Sequence, residues 1–386
     1  MNAYVKEANV MTAGYLPAYG RTQGGVFDLV SKSGSNAFHL EGPPLPRQPF
    51  AEHVMSMVDD FVFAGQYRIK SRLGQGGMGV VFLAEHLATG LSVALKVLWP
   101  HLLGSKAANE GFRREAYVAT SLPNEHFVKV LDAGVDRAFG LPYLVMERLH
   151  GRTLDEVVLS SGPLSVGELL TIMGQLGSAL DQAHGHVGRD GRPAPIVHRD
   201  LKPENVMITE AGAVKLLDFG IAKVLSANHA RTGELRGTPL FMAPEQIDDG
   251  PPTPRIDVWA LGLIAFFLLT GRPYWLSAAR PSGSAPALVF EEVLSLPIVS
   301  PRWRAHELGL RPTWPSSFDT WFLGCVNRTP ALRFASAGEA VAELHEAFGV
   351  SPRRDACRLL ARLSNALPGL CTLIARGVRD TCPSPT

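Results

Sequence analysis

Cysteine is scarce in this 386-residue chain: there are four, Cys325, Cys357, Cys371 and Cys382, and none before Cys325. No pair is spaced Cys-x-x-Cys and none clusters with histidine, so neither a disulfide framework nor a structural zinc is expected. Charge of one sign is lacking too. Lys+Arg 37 against Asp+Glu 36 leaves +1, no excess with which to coat nucleic acid, and no nucleic-acid partner is expected. The strongest apolar run, Val258 to Leu269, is too short to span a bilayer and suits a buried helix, so no transmembrane segment is expected. No basic segment followed by an apolar core opens the sequence, so no signal peptide is expected, and no solenoid-type repeat recurs. Reduced thiols without a membrane span point to a cytoplasmic protein.

What is present divides into three parts. Residues 1–60 are rich in Gly, Ser and Pro and end in the stiff linker Glu41-Gly-Pro-Pro-Leu-Pro-Arg-Gln-Pro49. Residues 61–348 carry dense periodic structure. Residues 349–386 form an Arg-dotted tail whose Leu359, Leu360, Leu363 and Leu367 make an amphipathic stretch. The middle part opens with short β-type runs at Tyr67–Leu73, Val80–Ala84 and Leu91–Leu98, then a helical run over 107–120 and strands at Phe127–Asp132 and Leu141–Glu147. Helices dominate after Gly162. Ser165-Val-Gly-Glu168 and Ser336-Ala-Gly-Glu339 are capping boxes that predict helices to about His184 and Phe348. The layout is α+β: a small β-rich lobe (61–149), a larger helical lobe (150–348), and a cleft between them.

The chemistry concentrates in a few segments. Gly74-Gln-Gly76-Gly-Met-Gly79-Val-Val81 lies between two predicted strands, where glycines let the backbone approach phosphate oxygens. A strand, not a helix, follows, which excludes a dinucleotide-binding fold. Val93-Ala-Leu-Lys96 ends an apolar strand with a cation that needs an orienting carboxylate, for which Glu115 is the first candidate and Glu110 the competitor. His198-Arg-Asp200-Leu-Lys202-Pro-Glu-Asn205 packs a carboxylate, an ammonium, an amide and a guanidinium into eight residues, and Asp218-Phe-Gly220 follows an apolar strand. Gly237-Thr238-Pro, Ala243-Pro-Glu245, Asp257-Val-Trp-Ala-Leu-Gly262 and Arg333 come after.

Taken in order, these segments resemble the full signature set of the bacterial eukaryotic-type (Hanks-type) serine/threonine protein kinases over roughly residues 61–348. The resemblance implies a bilobal kinase fold that uses ATP and Mg²⁺ and phosphorylates Ser/Thr hydroxyls of protein substrates. By position it implies that Gly74, Gly76 and Gly79 cover the phosphates and that Lys96, paired with Glu115, contacts them. Asp200 resembles the catalytic base and Lys202 the group that steadies the transferred phosphoryl, with Asn205 and Asp218 on the metal. Leu73, Val81, Ala94 and Met207 would sandwich the adenine, and Met146, Glu147 and Leu149 belong to the gatekeeper and hinge. Glu245 and Arg333 resemble the buried pair that anchors the activation segment, and Asp257 a structural support. Arg199 would receive a phosphate placed on Thr232 by autophosphorylation, a second copy of the chain serving as partner in trans, while Thr238 would contact Asp200 and Lys202.

Two stretches depart from the family pattern. Val187 to Pro195 lengthens the approach to His198 and is expected to be a surface excursion; Tyr274 to Pro315 carries extra Trp and Pro where substrates dock. A second resemblance covers residues 2–42. Val10-Met-Thr-Ala-Gly14-Tyr15, Ala18-Tyr-Gly20-Arg21 and Ser31-Lys-Ser-Gly34-Ser-Asn36 resemble the plug domain of TonB-dependent receptors. With no barrel to cover it, this segment is expected to lack a fixed fold and to be a fusion remnant or to precede a true start at Met55 or Met57. A non-catalytic scaffold is the rival reading, but it would tolerate loss of Lys96, Asp200 or Asp218, and none is lost.

Overall fold

The computed structural model describes residues 5–11, 26–31, 61–76, 79–99, 125–136, 139–188, 190–218, 239–248, 250–279 and 286–350. The helical run at 107–120, Glu110, Glu115, Thr232, Thr238 and the amphipathic tail lie outside them. Within the first sixty residues, strands β1 (Val5–Met11) and β2 (Val26–Ser31) pair antiparallel, where the sequence predicts no fixed structure.

The first lobe is one antiparallel sheet. Its strands are β3 (Val62–Phe63), β4 (Tyr67–Gly76), β5 (Gly79–His86), β6 (Ser92–Leu98), β7 (Val130–Val135) and β8 (Pro142–Glu147), in the order β3-β4-β5-β6-β8-β7. Side chains alternate between the two faces of a strand, and directly paired residues share a face. One face carries Val80, Phe82, Ala84, Val93, Leu95, Val97, Tyr143 and Val145, which pack with Phe63, Tyr67 and Ile69 into a single core. The pairs Val81 with Lys96, Ala94 with Met146, and Lys96 with Leu144 occupy the other face. The alternation that builds the core thus gathers Val81, Ala94, Lys96 and Met146 on the opposite side.

After β8, the short β9 (Gly151–Thr153) pairs with β10 (Val206–Thr209), which pairs with β11 (Val214–Leu216). Helices α1 (Leu154–Ser161) and α2 (Val166–His184) follow β9. The predicted cap of α2 is made: Ser165 N–H donates to Glu168 Oε2 (2.9 Å), and Glu168 N–H to Ser165 Oγ (3.3 Å). Beyond the short α3 (Pro244–Ile247), α4 (Arg255–Thr270) is apolar all round and buried over nearly its whole length, as the Val258–Leu269 run predicts. It ends at Gly271, whose left-handed backbone (φ 66) lets its N–H bond Phe267 O.

Helices α5 (Pro286–Leu294), α6 (Pro301–Glu307), α7 (Ser316–Cys325) and α8 (Ala337–Ala347) complete the second lobe. Ser336 caps α8, accepting from Glu339 N–H at 3.1 Å. Phe266 of α4 meets Tyr274, Trp314 and Phe322 ring to ring. Tyr274, Trp275 and Trp314 are therefore core residues, and of the three tryptophans between Tyr274 and Pro315 only Trp303 is exposed, at 61%. Among the described residues no helix is long and apolar enough to cross a membrane.

Candidate active site

The segment from His198 to Asn205 is held by side chains that reach it from distant elements. Asp257, buried near the start of α4, takes His198 N–H on Oδ2 (2.8 Å) and Arg199 N–H on Oδ1 (3.0 Å). His184 Nε2, at the end of α2, lies 2.8 Å from the same Oδ2. His198 Nε2 lies 3.0 Å from Leu217 O, which ties this loop to the strand leading into Asp218. Arg199 and Asp218 both have left-handed backbone, φ 62 and 52. Such strain in non-glycine residues persists only where neighbours over-determine it.

Five predicted residues converge here. Asn205 Nδ2 donates to Asp200 O (2.8 Å) and Oδ2 (2.9 Å). Lys202 Nζ lies 3.3 Å from Asp200 Oδ2. Across the cleft Lys96, 4% exposed, places Nζ 2.6 Å from Asp218 Oδ1. Desolvation alone would raise the Asp218 carboxyl, but Lys96, with Lys202 and His198, outweighs it and holds it below the usual range. Desolvation alone would lower the Lys202 ammonium, yet the Asp200, Glu204 and Asp218 carboxylates push it up. Burial raises the Glu204 carboxyl, against the Lys202 charge and aided by Asp155 and Asp200.

The glycines divide by physical cause. A Cβ on Gly79 would overlap the carbonyl oxygen of Val97, so packing alone requires glycine there. A Cβ on Gly74 would meet nothing within 4 Å, so no neighbour among the described residues accounts for it. Gly76 pairs with Gly79 at the hairpin end. Leu73 lies at the register shift between Arg72 and Gly74 and is 53% exposed. Met207 stands opposite Lys215 in the β10–β11 pair. Lys215 Nζ reaches Glu147 Oε1 at 2.8 Å, so Met207 shares the face turned toward Glu147. Leu149, just beyond Glu147, is half-buried. Arg333 forks onto Glu245 through Nη1 to Oε1 (2.6 Å) and Nη2 to Oε2 (2.7 Å), and its guanidinium lies over Trp259.

Sequence reasoning missed three contributors: Lys215, His184 as a partner of Asp257, and Gln246, whose Nε2 donates to Arg199 O at 2.7 Å. Only Gln246 left a trace, in its place directly after Ala243-Pro-Glu245.

A twisted antiparallel lobe set on a helical lobe, with Lys96 and Asp218 paired across the cleft, is the protein kinase fold. The protein kinase domain model matches residues 67–285, and the chain belongs to that family. It is 37% identical over 290 residues to a probable serine/threonine-protein kinase of Corynebacterium efficiens, covering 74% of this chain and 41% of that one. It is 34% identical over 287 residues to the serine/threonine-protein kinase PrkC of Bacillus subtilis, with the same shares covered. Among solved structures, the PknI kinase domain of Mycobacterium tuberculosis matches with a TM-score of 0.56 and 27% identity, over 75% of this chain and 98% of that one. The chain therefore spans about two fifths of the length of these curated relatives.

Proposed function

We propose that this protein is a serine/threonine protein kinase that transfers the γ-phosphoryl group of ATP to Ser and Thr hydroxyls of protein substrates. The observation that carries the reading is the linked set of Asp200, Lys202, Asn205, Asp218 and Lys96 at the cleft. Asp200 would accept the proton of the acceptor hydroxyl. Lys202 would balance charge on the group in transfer, and Lys96, with three donors and one carboxylate contact, has donors to spare for phosphate oxygens. Val81, Ala94, Met146 and Met207 would enclose the adenine, Leu73 would cover it, and the Glu147–Leu149 backbone would bond its edge. Gly74, where an added Cβ would meet nothing within 4 Å, would leave room for phosphates under the hairpin. Glu245, Arg333 and Asp257 would hold the frame.

The donor set fits Mg²⁺. Both N–H groups of Asn205 are spent on Asp200, which leaves its oxygen, and Asp218 adds carboxylate oxygens. Among the described residues no group of three His, Cys, Asp or Glu could cage an ion alone. Two oxygen-bearing side chains completed by phosphates and water are how Mg²⁺ is commonly held. A bound Mg²⁺ would neutralise phosphate charge during transfer.

Arg199 lies next to Asp200, and we place the regulatory phosphate on Thr232, added by a second copy of the chain and received by that guanidinium, with Glu115 orienting Lys96 and Thr238 near Asp200. The need for ATP suits a cytoplasmic location. The test is incubation of the purified chain with labelled ATP, Mg²⁺ and a generic basic protein. Phosphoserine and phosphothreonine are expected on that protein, with a phosphopeptide at Thr232 in the kinase itself. Asp200→Asn is expected to lose ~10²–10⁴-fold in rate. Wild-type activity in that variant would overturn the role of Asp200, and an inactive wild type would overturn the function.

A further inference from the structure

Gln246 stands at the third position of α3, and its side-chain amide makes two contacts. Oε1 accepts the N–H of Ala243 at 3.1 Å, the return half of a helix cap. Nε2 donates to the carbonyl of Arg199 at 2.7 Å, across 47 residues of sequence. The amide orientation is chemically forced. Turned over, it would set NH₂ against an N–H and a carbonyl against a carbonyl.

The carbonyl that Gln246 holds belongs to the peptide bond joining Arg199 to Asp200. Arg199 has left-handed backbone (φ 62), and its two polar backbone groups are pinned from opposite sides. Asp257 takes its N–H and Gln246 holds its C=O. Asp257 holds the N–H of Arg199 from α4, whereas Gln246, directly after Glu245 on α3, holds the carbonyl that leads into Asp200. Either acceptor oxygen of a carboxylate could cap Ala243, so capping alone would be served as well by glutamate. At neutral pH the amide, unlike an ionised carboxylate, can accept from Ala243 and also donate to Arg199.

We propose that Gln246 is a positioning residue for phosphoryl transfer: it aims the Asp200 carboxylate by holding the Arg199–Asp200 peptide, and it couples that aim to the seating of the Ala243–Glu245 segment. The inference rests on the kinase reading above. Misplacement of a reacting group by about 1 Å can cost ~10²-fold in rate, so the effect belongs in kcat.

The discriminating variant is Gln246→Glu in the full chain, assayed with MgATP and a generic protein acceptor beside the wild type. Its carboxylate keeps the cap on Ala243 but opposes the Arg199 carbonyl. The expected result is a kcat reduced ~10-fold or more with the KM for ATP and the melting temperature nearly unchanged. As pH falls and the introduced carboxyl protonates, it regains a donor, so the deficit relative to wild type should shrink. A pure capping role predicts no deficit at neutral pH. Should the variant melt early, the pH dependence of its relative kcat still decides: a ratio that stays flat or worsens toward acid overturns the proposal. Equal kcat in variant and wild type overturns it outright, whereas an inactive wild type would fault the kinase reading instead.

Discussion

Arg199 and Asp218 carry the site's backbone strain, each costing on the order of 1–3 kcal/mol, and both are held by neighbours with defined chemistry. Arg199 is pinned at its N–H and C=O; Asp218 has left-handed backbone (φ 52) with its carboxylate on Lys96. Glu204 is a different case, because burial and the nearby Asp155 and Asp200 raise its carboxyl despite Lys202. A carboxyl whose folded pKa exceeds its unfolded one destabilises the fold when ionised. That penalty is present at neutral pH and fades as pH falls through the raised value. Glu204→Gln is thus expected to raise the melting temperature at neutral pH, with the gap closing toward acid. Melting curves across that range check it, and a gap that widens in acid would contradict the sign.

At the scale of elements, close packing between helices sets the tolerance. A Cβ on Gly262 of α4 would lie 2.7 Å from Cys325 Cβ and 2.8 Å from Val326 Cγ2 at the end of α7. Gly262→Ala is expected to cost ~1–3 kcal/mol by overpacking, read as a lower urea midpoint at unchanged slope. Much of the element plan was legible in the sequence, because its causes are local. Ser165 with Glu168 and Ser336 with Glu339 announce their helices, and the glycines from Gly74 to Gly79 announce a hairpin. What was hidden depends on partners far along the chain. The strand predicted from Phe127 begins at Val130, because Phe127 instead bridges Leu216 in parallel. The Lys215 contact with Glu147 and the Gln246 contact with Arg199 likewise join segments whose spacing carries no signal. Within the stretch from Tyr274 to Pro315, Tyr274, Trp275 and Trp314 were not legible as core, because ring partners such as Phe266 and Phe322 come from helices before and after it, while Trp303 stays exposed.

At the scale of the molecule, the lobes are tied by Lys96 to Asp218 and by Glu147 to Lys215. Among the described residues each lobe has its own core, built from residues within 61–350. A chain trimmed to 61–350 is therefore expected to melt within a few degrees of the full chain and to keep its specific activity, as calorimetry and the phosphorylation assay would record. The surface excursion before His198 shows how the fold separates variable length from fixed geometry. Val187 bridges Pro193, Ala194 N–H donates to His186 O at 2.9 Å, and Ile196 N–H donates to Ala183 O at 2.9 Å. The polypeptide thus leaves and rejoins the scaffold at a clasp, and whatever lies outside that clasp is mechanically decoupled from Asp200. Doubling such a loop adds only about 0.6 kcal/mol of closure entropy, so the tip is a natural port where a peptide reporter could be spliced in while the catalytic machinery keeps its alignment.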